Sequence, residues 1–140
     1  MIVVDTNVFS ETLKPSPDEG VMRWLASHAD EVATTAITVA ELRFGAFRLP
    51  EGQRRSAILG AVDALVDAAG ERVLAFDVTA AHHFAVLRAQ REAAGRVVSV
   101  EDTMIAAICR AGSHRLATRN VRDFDDAGVD FVNPWEASTP

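Results

Sequence analysis

The chain has no tyrosine, and one cysteine and one lysine among its 140 residues. A lone Cys109 excludes an internal disulfide, so the fold must rest on packed apolar side chains, and the cytoplasm is the expected compartment. Aromatic residues make up 6% of the chain, too few to hold single-stranded nucleic acid by stacking alone. Long apolar runs are missing too. The longest stretch free of Asp, Glu, Lys and Arg is Val78–Leu87, well short of the roughly 20 residues that span a membrane. The opening Met1-Ile2-Val3-Val4-Asp5 lacks the basic start and apolar centre of a secretion signal. Positive charge is scarce: acids outnumber bases 20 to 14, for a net charge of −6. That balance excludes a general electrostatic grip on nucleic acid. A phosphate-bearing ligand would need a bound cation or a local basic patch to offset the repulsion. Every base except Lys14 is arginine, the side chain suited to bidentate phosphate contacts.

What is present is a globular composition, 49% apolar and 24% charged, in a length that buries a real core. No repeat, low-complexity segment or linker interrupts it. Residues 1–136 are expected to form one domain, with Ala137–Pro140 as a loose tail.

Strands alternate with helices along the chain. Ile2-Val3-Val4 is a short apolar run typical of a strand buried on both faces. A helix is expected near Ser16, with Pro17 at its first position and Ser16 and Glu19 forming a capping box. Glu31–Ile37 is β-branched enough for a second strand, followed by a helix over Thr38–Phe47. A further helix carries Ile58, Leu59, Val62, Leu65 and Val66 up to Gly70. Val73–Phe76 is the third strand, Thr79–Ala94 and Ser99–Ala111 are helices, and Arg115–Thr118 and Val129–Val132 are the last strands. The pattern predicts a mainly parallel sheet of four to five strands between helical layers, an α/β fold of the α/β/α sandwich type.

The acids fall at informative places in that order. Asp5 directly follows the first strand, and open parallel sheets bind ligands beyond the carboxyl ends of their strands; it could equally cap a following helix. Glu41 lies three residues after Thr38, and Asp102 three after Ser99. Both spacings match a capping box, and both place an acid in a helical first turn near the sheet edge. Asp102 also opens the apolar run Thr103-Met104-Ile105-Ala106-Ala107-Ile108-Cys109, where an unpaired buried acid would be costly. Its neighbour Glu101 points about 100° away around the helix and is expected to face water. Asn120 and Asp123 follow the Arg115–Thr118 strand, although Asp123 could also start an acidic surface turn with Asp125 and Asp126. Carboxylates gathered without a cationic partner resist ionisation. A divalent cation relieves that, and an oxygen-only donor set favours Mg²⁺ or Mn²⁺ over zinc. Such a site suits phosphodiester hydrolysis.

Five segments now stand in order: Ile2-Val3-Val4-Asp5-Thr6-Asn7, Thr38-Val39-Ala40-Glu41-Leu42, Ser99-Val100-Glu101-Asp102, Ala117-Thr118-Arg119-Asn120 and Asn133-Pro134-Trp135. Together they resemble the PIN-domain ribonucleases, specifically the VapC-like and FitB-like toxins of bacterial toxin–antitoxin modules. The resemblance covers the chain to about Trp135. It implies a PIN-like sandwich and Mg²⁺- or Mn²⁺-dependent cleavage of RNA. It also implies a homodimer held inactive by a VapB-like antitoxin, with DNA contacted only through that partner. Carried over by position, Asp5, Glu41 and Asp102 look like the metal ligands, and Thr118 like a residue that orients the attacking water. Some relatives carry aspartate where this chain has Asn120, while others pair asparagine there with an acid three residues on, as in Asp123. Either residue could complete the site.

Two other classes compete. A dormant PIN-like binding module would act only through its antitoxin and would not need the intact Asp5, Glu41 and Asp102. A phosphotransfer receiver or dehalogenase-type phosphatase also places an aspartate after a strand. That phosphatase pattern wants a second acid two residues later, where this chain has Asn7, and both want a late lysine, whereas none follows Lys14. His28, His82, His83 and His114 read as surface or satisfied side chains. Cys109 reads as a packing residue, and Trp24 and Trp135 as core or interface anchors.

Overall fold

Ile2–Val4 forms the central strand, β1, and all three of its side chains are buried. In the computed structural model, which describes residues 1–136, four further strands flank it: β2 (Val32–Thr35), β3 (Val73–Leu74), β4 (Arg115–Ala117) and β5 (Phe131–Val132). Their order across the sheet is β3-β2-β1-β4-β5, and every pairing is parallel. Ile2 sits opposite Val32 on one side and Arg115 on the other. Six helices complete the fold: α1 (Thr6–Thr12), α2 (Glu19–Ser27), α3 (Ala36–Phe47), α4 (Gln53–Ala69), α5 (Val78–Ala93) and α6 (Val100–Gly112). The expected sandwich is present, with five strands. The tail expected over Ala137–Pro140 lies outside the described residues.

Alternation along β1 builds the layers. Val3 points into a core with Leu87 of α5, Ile105, Ala106 and Cys109 of α6, and Phe124. Ile2 and Val4 point the opposite way, into a second core with Val8 of α1 and Val21 and Trp24 of α2. A strand buried on both faces has no room for a polar side chain, so its apolar run is continuous. Small residues on α6, Ala106 and Ala107, are fully buried and let that helix lie close on the sheet. No helix among the described residues is long and apolar enough to cross a membrane.

Helix starts depart from expectation at three places. A short helix, α1, begins directly after Asp5, so the chain is helical well before Ser16. Its successor, α2, is capped by Asp18, which accepts from the Val21 amide at 3.0 Å, and not by Ser16 with Glu19. An aspartate after a proline is the stronger cap here, because the Asp18 amide is itself tied to the buried Glu11 carboxylate at 2.9 Å. Likewise α3 is capped by Thr35, whose hydroxyl accepts from the Thr38 amide at 3.1 Å. Glu41 is therefore past the first turn of its helix and has no capping duty.

One buried cation joins the elements behind the sheet edge. Arg91 on α5 is 3% exposed. Its guanidinium reaches both carboxylate oxygens of Asp126 at 2.9 and 3.1 Å, the Thr103 hydroxyl of α6 at 2.8 Å and the Asp123 carbonyl at 2.5 Å. Arg96 holds Asp125 at 2.7 Å. The acidic run after β4 is thus divided: the carboxylates of Asp125 and Asp126 pair with arginines, whereas among the described residues that of Asp123 does not. Removing the arginine strands the acceptors it serves. Arg91→Met is expected to lower unfolding stability by about 3 kcal/mol, read as a drop in urea midpoint at unchanged slope. A change under about 0.5 kcal/mol, the ordinary scale for surface substitutions, would contradict that role.

Candidate active site

The sheet reverses direction of growth between β1 and β4, since β2 and β3 extend one way and β4 and β5 the other. Ligands in open α/β sheets settle outside the carboxyl ends of the strands at such a point. Asp5 stands there, at the end of β1, with its backbone amide bonded to the Ala117 carbonyl of β4 at 2.9 Å. Its side chain is 2% exposed. One carboxylate oxygen accepts from the Thr6 amide at 2.8 Å; the other accepts from the Thr118 hydroxyl at 2.8 Å and the Asn7 amide group at 3.2 Å. Asp5 is also the N-cap of α1, so capping and site placement coincide in one residue. Burial raises its pKa, and the Thr118 and Thr6 hydrogen bonds oppose that rise only in part.

Glu41 and Asp102 arrive from two helices that start at the same sheet edge. Thr6 donates its hydroxyl to Glu41 at 2.7 Å and lies 3.1 Å from the Thr38 hydroxyl. Burial raises the Glu41 pKa, and the charges of Asp5 and Glu101 push it further. Ser99 caps α6 by accepting from the Asp102 amide at 3.1 Å. Burial pushes the Asp102 carboxyl up to about 7, with added repulsion from Asp5, Asp123 and Glu41. These mutual shifts are the signature of carboxylates brought together without compensating positive charge.

The remaining expected residues separate into two groups. Asn120 lines the same open cleft as Asp5, Glu41 and Asp102, a space of about 500 Å³. Asp123, in the short 3-10 turn Val121–Asp123, is not in that lining, yet its charge acts on both Asp5 and Asp102. Thr118 is held deeper in the fold. It is fully buried, donates to Asp5 and accepts from the Asn120 amide at 3.0 Å. It lies behind Asp5, outside the cleft lining, and its hydroxyl holds that carboxylate in place.

Several further residues border the cleft without having been expected there. Glu11, Lys14, Glu101, Arg119 and Trp135 all border it. Lys14 is paired with Glu11 at 2.8 Å. Glu101 is exposed, as expected, but exposed onto the cleft. Trp135 follows a proline and carries no spacing signal, and Arg119 is one arginine among many. Only adjacency to Thr118 and Asn120 could single Arg119 out.

The donors facing the cleft are oxygens, and Asp5, Glu41 and Asp102 make no ion pair among the described residues. No three acidic, histidine or cysteine side chains among the described residues stand close enough to wrap one ion directly. A cation held here would have to be reached partly through water.

Known proteins share this pattern. The PIN domain family pattern matches residues 2–129. The chain is 42% identical over 138 residues to the VapC ribonuclease Y4jK of Sinorhizobium fredii, covering 97% of this chain and 99% of that one. It is 36% identical over 137 residues to toxin FitB of Neisseria gonorrhoeae, covering 96% and 99%. The crystal structure of FitAcB from the same organism superposes with a TM-score of 0.89 over 97% of this chain and 99% of that chain, at 36% identity. With this fold, these strand-end acids and a match spanning nearly every described element, the chain belongs to the PIN domain family, among VapC- and FitB-type relatives.

Proposed function

We propose that this chain is a metal-dependent endoribonuclease, the toxin of a VapBC-like toxin–antitoxin pair. The observation that carries it is the meeting of Asp5, Glu41 and Asp102 in one cleft, each raised in pKa by burial and by another of the three acids or Asp123. Relatives named as a ribonuclease and as a toxin support RNA as the substrate class. The likeness to FitAcB supports a FitA- or VapB-type antitoxin as the partner. A homodimer and action in the cytoplasm complete the reading.

Asp5, Asp102 and Glu41 would hold Mg²⁺ or Mn²⁺. When bound, the cation would supply an acidified water and a counter-charge for the phosphate. The rest falls to the chain. Thr118, Asn7 and the Thr6 amide fix the Asp5 carboxylate in one rotamer. Thr6 does the same for Glu41. Asn120 offers a neutral acceptor at the cleft wall, and Asp123 adds negative charge from behind. Fixing donors before the ligand arrives lowers the reorganisation needed at the moment of reaction.

Replacing Asp5 or Asp102 by Asn is expected to reduce cleavage of RNA in Mn²⁺ by at least a hundredfold, since removal of one preorganised charge-stabilising group commonly loses about 10²–10³ in rate. Undiminished cleavage in both variants refutes the assignment. Calorimetric titration of the native chain with Mn²⁺ should give heat, and saturation should raise unfolding stability by about 2.7 kcal/mol at a hundredfold excess over Kd. An absent heat would favour a dormant binding module acting through its partner.

Proton and cation should compete. A carboxyl raised in the fold destabilises the folded state only when charged. The penalty from Asp102 is absent below its ordinary 3.8, grows with pH and is complete above about 7. Asp5 and Glu41 act in the same sense. Glu11 and Asp126, lowered by Lys14 and Arg91, act in the opposite sense and weaken the fold only in acid. His114, lowered by burial, works in part against this as pH rises, but with three acids raised the Tm of the metal-free chain is expected to fall from about pH 5 to about pH 8, and saturating Mn²⁺ should abolish the fall. A metal-free Tm that is flat or rising across that window contradicts the electrostatics of the cleft.

A further inference from the structure

An acidic protein with an acidic cleft must still hold an anionic strand. A bound cation would offset charge at the reacting phosphate, but the neighbouring phosphates need a counter-charge of their own. Among the described residues two cations border the cleft, Lys14 and Arg119. Lys14 is engaged with the buried Glu11 at 2.8 Å. Arg119 is exposed, and among the described residues its guanidinium makes no ion pair.

Its surroundings hold it in place all the same. The Arg119 backbone amide donates to the Asn7 side-chain oxygen at 3.3 Å, beside Asp5. The guanidinium lies 4.9 Å from the centre of the Trp135 ring. Trp135 is half-buried against the core that contains Ile2, Val4 and Val8, and its amide is tied to Asn133 at 3.0 Å. A rigid indole face thus backs a flexible cation at the edge of the cleft. Contact with a ring uses the positive charge without consuming N–H donors. The donor fork stays available for a bidentate acceptor, and phosphate is the acceptor it matches.

Resting on the ribonuclease reading above, we infer that Arg119, backed by Trp135, is a substrate-binding residue that grips a phosphate of the RNA strand next to the one being cleaved. Arg119 is the local basic element that the net charge demands. It stands apart from the acids in role: it binds the strand and does not enter the chemical step.

The test uses the full chain carrying Asp102→Asn, so that RNA is bound and not consumed. A short fluorescent single-stranded RNA of random sequence is titrated at several salt concentrations, with and without Arg119→Gln or Arg119→Lys. Arg119→Gln is expected to weaken binding about tenfold, the scale of one charged hydrogen-bonded contact. It should also reduce the slope of log affinity against log salt by about one phosphate contact. Arg119→Lys should recover the slope and only part of the affinity, since an ammonium cannot make the fork. Unchanged affinity and slope in Arg119→Gln overturn the inference. Weakened binding at an unchanged slope overturns it as well, by moving the contact from phosphate to base. Cleavage of total bacterial RNA by the chain with Asp102 intact separates the two levels. Cleavage lost in Asp5→Asn but binding indifferent to Arg119 sinks this inference alone, whereas no cleavage by the native chain sinks the ribonuclease reading and this inference with it.

Discussion

Asp5 occupies a position that little water reaches and where its charge is disfavoured, and much of the molecule is arranged around keeping it there. The strand that delivers it is apolar on both faces, so the chain can return to polarity only at the strand's end. The bond from the Asp5 amide to the Ala117 carbonyl locks that end to β4. Three donors from Thr6, Asn7 and Thr118 then fix the carboxylate. Every one of these donor residues also serves a second contact. Thr6 holds Glu41, Asn7 receives the Arg119 amide, and Thr118 receives the Asn120 amide. The cleft is therefore one hydrogen-bonded unit and not a set of separate side chains.

Charge organisation on the far side of α6 follows a different rule. Around Asp5, acids are left without cations, which keeps them responsive to a ligand. Around Arg91, acid and base are matched, with Asp126 taking two hydrogen bonds and Thr103 and the Asp123 carbonyl the others. Thr103 adjoins Asp102, and Asp123 acts on both Asp5 and Asp102. A satisfied network thus supports an unsatisfied one. Buried polar groups rigidify when every member is partnered, and the frustrated cluster gains a firm wall from the neighbour that is not frustrated.

Legibility in the sequence follows the physics of each signal. Strands buried on both faces read as continuous apolar runs and long amphipathic helices have strong periodicity, and β1, α5 and α6 are legible within a residue or two at most ends. Short elements are not. α1 has seven residues, too few for a periodic pattern, and its cap, Asp5, reads equally as a ligand. The caps Asp18 and Thr35 are hidden because several polar residues stand in a row and only backbone direction selects among them. For the cleft, the acids are legible because an unpaired carboxylate beside an apolar run is costly. The hold of Thr118 on Asp5 is not legible, because it joins residues from two strand ends far apart in the chain. Arg119 and Trp135 both stand in the ordered segments, but their pairing leaves no mark, because a cation resting on a ring joins residues 16 positions apart with no spacing rule.

The outermost strands, β3 and β5, are two residues each. An exposed sheet edge invites a foreign chain to dock by continuing the ladder, and a short edge withdraws the invitation. Here either rim presents barely one repeat of main-chain donors and acceptors. A visiting polypeptide would find too little backbone to zip along and would have to be recognised through side chains, on helical faces or at the mouth of the cleft. Discrimination between cognate and foreign visitors then resides in residue identity and not in the rim of the sheet.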